Sequence, residues 1–136
     1  MHHMSFNVLI GLCAWTLCLL ILMEGMRARL VITGKIAGNT FRPDNTNLSP
    51  FMQRLARAHA NCVESLPVFG ALLLAAIVTG RTALTDPLAL WLLVARIVQS
   101  CFHLASLSNG AVNARFAAFA FQVAIAVYWT YALFTA

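Results

Sequence analysis

The first long segment of the chain, residues 5 to 23, is apolar and carries no charged residue. At about 1.5 Å of rise per residue, a helix of this length crosses the roughly 30 Å of hydrocarbon in a bilayer. The composition extends the argument to the whole chain, because 61% of its 136 residues are hydrophobic and only 10% are charged. Soluble domains carry about 25% charged residues. The sequence therefore predicts an all-α integral membrane protein.

Turn and capping residues divide the chain into four predicted helices. Ser49-Pro50 and Thr85-Asp86-Pro87 each place a proline after a capping residue, a pattern that begins a helix. Gly80 is a typical helix stop, and Ser108-Asn109-Gly110 indicates a tight turn. No repeat or domain boundary interrupts this order, so residues 1–136 are expected to form a single four-transmembrane-helix bundle. The expected helices cover roughly residues 5–32, 50–79, 87–107 and 112–134, with a polar loop at about 33–49.

Basic residues are concentrated around the first connection between helices. The net charge is +5, but the chain has a single lysine and no dense Lys/Arg cluster, so no nucleic-acid partner is expected. The positive-inside rule instead places the first and third connections in the cytoplasm and both termini outside. The basic residues behind this assignment are Arg27, Arg29, Lys35, Arg42, Arg54 and Arg57.

The cysteines all lie in apolar segments. They form no Cys-x-x-Cys pair and no cluster with histidine at zinc-ligand spacing. Free thiols that act as small apolar side chains are the expected state, and no metal site is predicted. The four residues are Cys13, Cys18, Cys62 and Cys101.

Polar side chains also occur inside the predicted spans. At about 100° per residue, Arg54, Arg57, Asn61 and Glu64 fall within about a quarter of the circumference of the second helix. An Arg at a helix centre costs about 2.5–3.5 kcal/mol on insertion scales, so such residues usually face a bundle interior or a water-filled cavity. We therefore predict one polar pocket toward the cytoplasmic half of the bundle. The other helices would add Glu24, Arg27, Arg96, Gln99, His103 and Arg115.

The chemistry of this set indicates an anionic or zwitterionic ligand. Several guanidinium groups suit carboxylates, which they hold with bidentate hydrogen bonds. Glu64 is suited to an ammonium group, so a small zwitterion with more than one carboxylate would satisfy the pocket. An alternative stays open at this point: Glu64 pairs internally with Arg57 or Arg96, and the charges only hold the helices in register.

The second helix also resembles a known family signature. Residues 57–69, with the sequence RAHANCVESLPVF, fit the pattern R-A-x-x-N-x-x-E-x-x-P-x-F at every fixed position. This pattern is similar to that of the MAPEG family, the membrane-associated proteins of eicosanoid and glutathione metabolism. The resemblance implies a homotrimer that holds glutathione, as co-substrate, between neighbouring subunits on the cytoplasmic side.

The resemblance also implies roles for individual residues. Arg115, early in the fourth helix, would be the catalytic group that stabilises the glutathione thiolate. That thiolate would attack lipophilic electrophiles or peroxidised lipids that enter from the bilayer. The residues expected to bind glutathione are Arg27, Arg57, Asn61, Glu64, Arg96, Gln99 and His103.

The sequence departs from the family pattern where phenol groups are common. Gln99 and His103 occupy third-helix positions that are often His or Tyr in the family, and Phe119 follows Arg115 where many enzymatic members have Tyr. A non-catalytic lipid-binding or scaffold member is therefore an alternative to a glutathione-dependent transferase or peroxidase. A small transporter that uses Glu24 or Glu64 as a cation site is a further alternative.

Overall fold

A computed structural model describes residues 4–136, and it consists of four long helices joined by short connections and one longer loop. Each long helix is long and apolar enough to cross a membrane. This confirms the predicted all-α, four-span bundle. The helices are α1 (Met4–Ile32), α2 (Pro50–Val78), α3 (Asp86–Ala105) and α4 (Asn109–Thr135), with a single 3-10 turn at Thr82–Leu84 before α3.

The ends of α2 form as the sequence predicts. Ser49 Oγ accepts a hydrogen bond from the backbone N–H of Met52 at 3.3 Å, and Pro50 occupies the first turn, where a missing N–H has no consequence. At the other end Gly80 adopts φ +69, a left-handed conformation that glycine adopts without steric cost. Both predicted boundary signals are confirmed.

The connection between α3 and α4 is shorter than expected. The prediction placed a turn at residues 108–110 and the start of the fourth helix at about Val112, but Ser108 is the N-cap and Asn109 is already helical. Ser108 Oγ accepts from the N–H of Ala111 at 3.2 Å, while Ser106 Oγ accepts from the N–H of Ser108 at 3.0 Å. Two serine side chains thus satisfy the backbone donors that a longer loop would otherwise leave free.

The helices pack unevenly around two apolar clusters. Contact is most extensive between α3 and α4 and between α1 and α2, whereas α2 and α4 touch only sparsely. One cluster centres on Leu73, Leu92 and Trp129, and the other on Leu19 and Leu55. The sparse contact between α2 and α4 leaves an opening along the bundle, and this opening positions the candidate site.

The loop between α1 and α2 is anchored at one fully buried residue, Asn45. Its Oδ1 accepts from Arg27 Nη2 at 2.6 Å and from Arg27 Nε at 3.1 Å, and its Nδ2 donates to the carbonyl oxygen of Met52 at 2.8 Å. One amide side chain therefore joins the end of α1, the loop and the first turn of α2.

Candidate functional site

A polar cavity of about 340 Å³ opens between α2, α3 and α4. Six of the predicted site residues share its wall, so the structure brings most of the expected set together. Apolar side chains close it on the α4 side. Its lining consists of Arg57, Ala60, Asn61, Glu64, Gln99, His103, Val112, Arg115, Phe116 and Phe119.

Helical spacing explains how the side chains converge. Arg57, Asn61 and Glu64 are separated by four and three residues, so they lie on one face of α2. Gln99 and His103 are four apart on α3 for the same reason. Arg115, in the second turn of α4, adds its side chain to the lining of the same cavity.

The charged groups of the cavity are not paired with one another. Glu64 forms no ion pair with Arg57 or Arg96 among the described residues, where the ion pair that the structure records joins Arg27 to Glu24. The described chain therefore shows neither of the internal ion pairs that the alternative interpretation of Glu64 requires. The carboxylate of Glu64 and the guanidinium of Arg57 are left available to a ligand.

Two donor-bearing groups deeper in the cavity also lack partners within residues 4–136. The Nε of Arg115 and the Nδ1 of His103 are buried and make no hydrogen bond. Unsatisfied buried polar atoms cost about 1–3 kcal/mol each, which a bound polar molecule would offset. Phe116 and Phe119, on the same helix as Arg115, also line the cavity.

Gln99 accepts a hydrogen bond from a buried residue that the sequence analysis did not identify. Gln122 on α4 is fully buried, and its Nε2 donates to Gln99 Oε1 at 3.0 Å. Because the oxygen of Gln99 is occupied, its own N–H groups remain as donors for the cavity. The signal in the sequence was a lone glutamine in an apolar span, seven residues after Arg115 and so on nearly the same helix face.

Arg96 does not line the polar cavity, although its spacing places it on the same stripe as Gln99. Its side chain is only 2% exposed, and its Nη1 donates to the backbone carbonyl of Asn61 at 3.4 Å. The guanidinium also lies 5.4 Å from the centre of the Phe69 ring, within cation–π range. Arg96 thus links α3 to the backbone of α2 and positions Asn61.

Arg27 lies on the other side of α2. It pairs with Glu24 Oε1 at 2.8 Å and donates to Asn45, as described above. Together with Glu64 and His59 it lines a second cavity of about 410 Å³ between α1 and α2. Within a single chain, therefore, Arg27 and Arg115 do not face the same space, and Glu64 contributes to both.

An apolar groove of about 680 Å³ runs along the gap between α2 and α4. It shares Asn61, Glu64 and Phe119 with the polar cavity, so the two spaces meet at these three side chains. From there it extends toward Tyr131 and Phe134 near the far end of α4. The sequence analysis had not located this groove, because its wall consists of common apolar residues.

The described residues 4–136 contain no group of three or more His, Cys, Asp or Glu side chains that would suit a metal ion. All four cysteines are free thiols.

Four membrane-spanning helices around a cavity of unpaired charged groups define a multi-pass integral membrane protein with an internal polar site. Residues 6–135 match the sequence model of the MAPEG family, and the chain therefore belongs to that family. The resemblance seen in the second helix is confirmed over nearly the whole chain. No curated protein and no solved structure matches the chain. Family membership supports, in general terms, a membrane glutathione-related transferase or peroxidase role or a related role.

Proposed function

We propose that the protein binds glutathione in the polar cavity and uses it as a co-substrate against lipophilic electrophiles. The observation that carries this proposal is the junction at Asn61, Glu64 and Phe119, where a cavity of unpaired charges meets an apolar groove. A reaction between a water-soluble tripeptide and a lipid-soluble molecule needs such a meeting point of two chemically different spaces.

The polar groups of the cavity are complementary to glutathione. The tripeptide has two carboxylates, one ammonium group and one thiol. Arg57 and the amide N–H groups of Gln99 supply donors for carboxylate, Glu64 supplies an acceptor for ammonium, and Asn61 offers both kinds of group. His103, with Nδ1 unpaired, adds a further hydrogen-bonding position at the floor of the cavity.

Arg115 is the proposed catalytic residue. A guanidinium near a thiol favours the thiolate, which is the nucleophilic form. Phe116 and Phe119 line the cavity on the same helix, so Arg115 acts beside apolar side chains, where charge interactions are stronger than in bulk water. In conjugation, the thiol proton leaves to solvent, the sulfur forms a bond to an electrophilic carbon, and the leaving group departs with the bonding electrons.

We also infer a homotrimer with the site on the cytoplasmic side. Arg27 lines the second cavity, across α2 from Arg115, so one chain does not present both groups to one ligand. Two neighbouring chains packed side by side would present Arg27 of one chain and Arg115 of the other to the same ligand, with Glu64 near the contact. The basic loop between α1 and α2 lies at the same end of the bundle, which favours a cytoplasmic orientation and external termini.

The proposal is tested by the effect of glutathione on purified protein. Glutathione is expected to raise the midpoint of thermal unfolding, and Arg57→Ala is expected to abolish this shift. Arg81→Ala is the matched control, because Arg81 lies in the α2–α3 connection and its Nη1 donates to the carbonyl of Leu133 at 3.3 Å, away from the cavity. Absence of any shift in the wild-type protein would overturn the proposal.

A non-catalytic lipid-binding or scaffold role is the second candidate. The observation in its favour is the pair of Phe116 and Phe119 beside Arg115, where no phenol donor is present, together with an apolar groove larger than the polar cavity. This role predicts retention of a lipophilic probe without glutathione conjugation. The transporter alternative gains no support from Glu24, whose carboxylate is already paired with Arg27.

A further inference from the structure

A third cavity of about 370 Å³ lies at the end of α1, away from the polar cavity and the apolar groove. Arg29 and Lys35 supply its charge, and its lining includes no carboxylate. The apolar side chains of Met26, Leu30 and Met52 form the remainder of its wall with two hydroxyl residues. We call it the basic interfacial pocket.

The fold builds this pocket through the way α1 ends. Gly34 adopts φ +69, and the N–H of Lys35 bonds to the carbonyl of Leu30 at 3.0 Å, so the chain turns back over the last turn of the helix. This turn places Lys35 beside Arg29 in the pocket wall. The N-cap of α2 closes the opposite side, since Ser49 also lines the pocket.

The two cations of the pocket have no counter-charge. The carboxylates nearest in sequence are engaged elsewhere, because Glu24 pairs with Arg27 and Asp44 accepts from the N–H of Thr46 at 3.2 Å. The side chains of Arg29 and Lys35 form no ion pair or hydrogen bond within the described chain. Ser49 accepts from Met52 through its oxygen, so its O–H remains a free donor.

We propose that the basic interfacial pocket binds a phosphate group, supplied by the headgroup of an acidic phospholipid. Arg and Lys are the usual phosphate ligands, and the N-terminus of α2 adds the positive end of a helix dipole. The pocket lies where a membrane-spanning helix ends, which is the level of lipid headgroups. Its apolar wall of Met26, Leu30 and Met52 suits the glycerol and upper acyl region of the same molecule. Inorganic phosphate shares this chemistry, and the experiment separates the two sources.

The test measures lipid retained by the purified protein in a neutral detergent at physiological ionic strength. Native mass spectrometry compares phosphatidylglycerol with phosphatidylcholine of the same acyl chains. Phosphatidylglycerol is expected to bind preferentially, and Arg29→Gln and Lys35→Gln are each expected to weaken its binding by roughly five-fold or more. The charge-conserving Arg29→Lys is expected to bind within about two-fold of the wild type, which shows that the site folds.

Arg42→Gln is the matched control for Lys35→Gln. It removes one positive charge from the same α1–α2 loop, but from a residue outside the pocket. It is expected to change phosphatidylglycerol binding by less than about two-fold, since exposed charges are screened over about 8 Å at this ionic strength. An equal loss in Arg42→Gln and Lys35→Gln would reduce the effect to diffuse surface charge and overturn the proposal. Equal retention of the two lipids would overturn the lipid headgroup as the source of the phosphate.

Inorganic phosphate forms the second arm of the experiment. Thermal stabilisation by phosphate that disappears in Arg29→Gln, without preferential lipid retention, would keep the phosphate site but assign it to a soluble ligand. Lipid retention without an effect of phosphate supports the headgroup. Neither outcome depends on glutathione, so this proposal stands or falls separately from the proposed function.

Discussion

Gln122 Nε2 donates to Gln99 Oε1 across 3.0 Å and so joins α4 to α3 directly behind the polar cavity. Both side chains are buried, at 0% and 4% exposure, and Gln122 also donates to the carbonyl of Ala118 at 2.9 Å. This bond fixes which end of the Gln99 amide faces the cavity. If glutathione binds as proposed, the amide N–H of Gln99 is therefore held in place as a donor to one of its carboxylates.

Replacement of Gln122 by leucine is expected to weaken glutathione binding and the fold together. Loss of the bond leaves the buried Oε1 of Gln99 unsatisfied, at a cost of about 1–3 kcal/mol in the free energy of unfolding. Gln99 is also free to rotate, and we expect the KM for glutathione to rise by roughly five-fold. Steady-state kinetics and thermal unfolding measure the two effects.

The double variant Gln99→Leu/Gln122→Leu separates these effects. Removal of both partners leaves no unsatisfied acceptor, so most of the lost stability is expected to return while glutathione binding remains weak. Thr16→Val on α1 controls for the loss of a hydrogen bond inside a span, since Thr16 Oγ1 donates only to Leu12 O at 2.9 Å. Normal glutathione binding in the double variant would contradict a positioning role for Gln122.

The polar faces of single helices were predictable from spacing, but their neighbours were not. Arg57, Asn61 and Glu64 share a face because three- and four-residue steps are local properties of a helix. Arg96 shares the stripe of Gln99, yet its guanidinium lies against the Asn61 carbonyl, because that part of α3 packs directly on the backbone of α2. The position of a residue on the polar face of a helix therefore does not indicate whether its side chain lines a cavity.

The sequence did not predict contacts between segments that are far apart along the chain. The sequence of α4 does not reveal that Gln122 bonds to Gln99 on α3, and the side of α2 reached by Arg27 depends on how the loop is anchored at Asn45. The apolar groove depends on the sparse packing of α2 against α4, which no periodicity of common apolar residues reveals.

Arg115→Ala is expected to reduce the rate of glutathione conjugation by about 10²-fold or more, as with the loss of other groups that stabilise developing or full negative charge. Binding of glutathione, followed by thermal shift, is expected to change by less than about five-fold, because Arg57 and Glu64 remain. The ultraviolet absorbance of the bound thiolate should decrease in parallel with the rate. An unchanged thiolate signal in Arg115→Ala would assign the rate loss to another cause.

Asn45→Ala is expected to lower the free energy of unfolding by about 2–3 kcal/mol, because its side chain holds both the charged Arg27 and the first turn of α2. Asn45 has φ 57, so alanine adds backbone strain to the lost hydrogen bonds. Asn45→Gly removes the bonds without the strain and should be less destabilising than alanine. Asn47→Ala, which breaks one exposed bond to Thr40 O, serves as the control and should cost less than about 1 kcal/mol.

Phe119→Tyr distinguishes the catalytic role from the scaffold role at a single position. Phe119 lies in the wall shared by the polar cavity and the apolar groove, so a phenol there would face both the thiol and its electrophile. If the protein is an enzyme, one added hydrogen bond to the thiolate is worth about 1 kcal/mol, and the conjugation rate should rise by roughly five-fold. Phe121→Tyr, on a part of α4 outside both spaces, should leave the rate unchanged. Conjugation that stays undetectable in Phe119→Tyr, while glutathione still stabilises the protein, would instead favour a binding role without turnover.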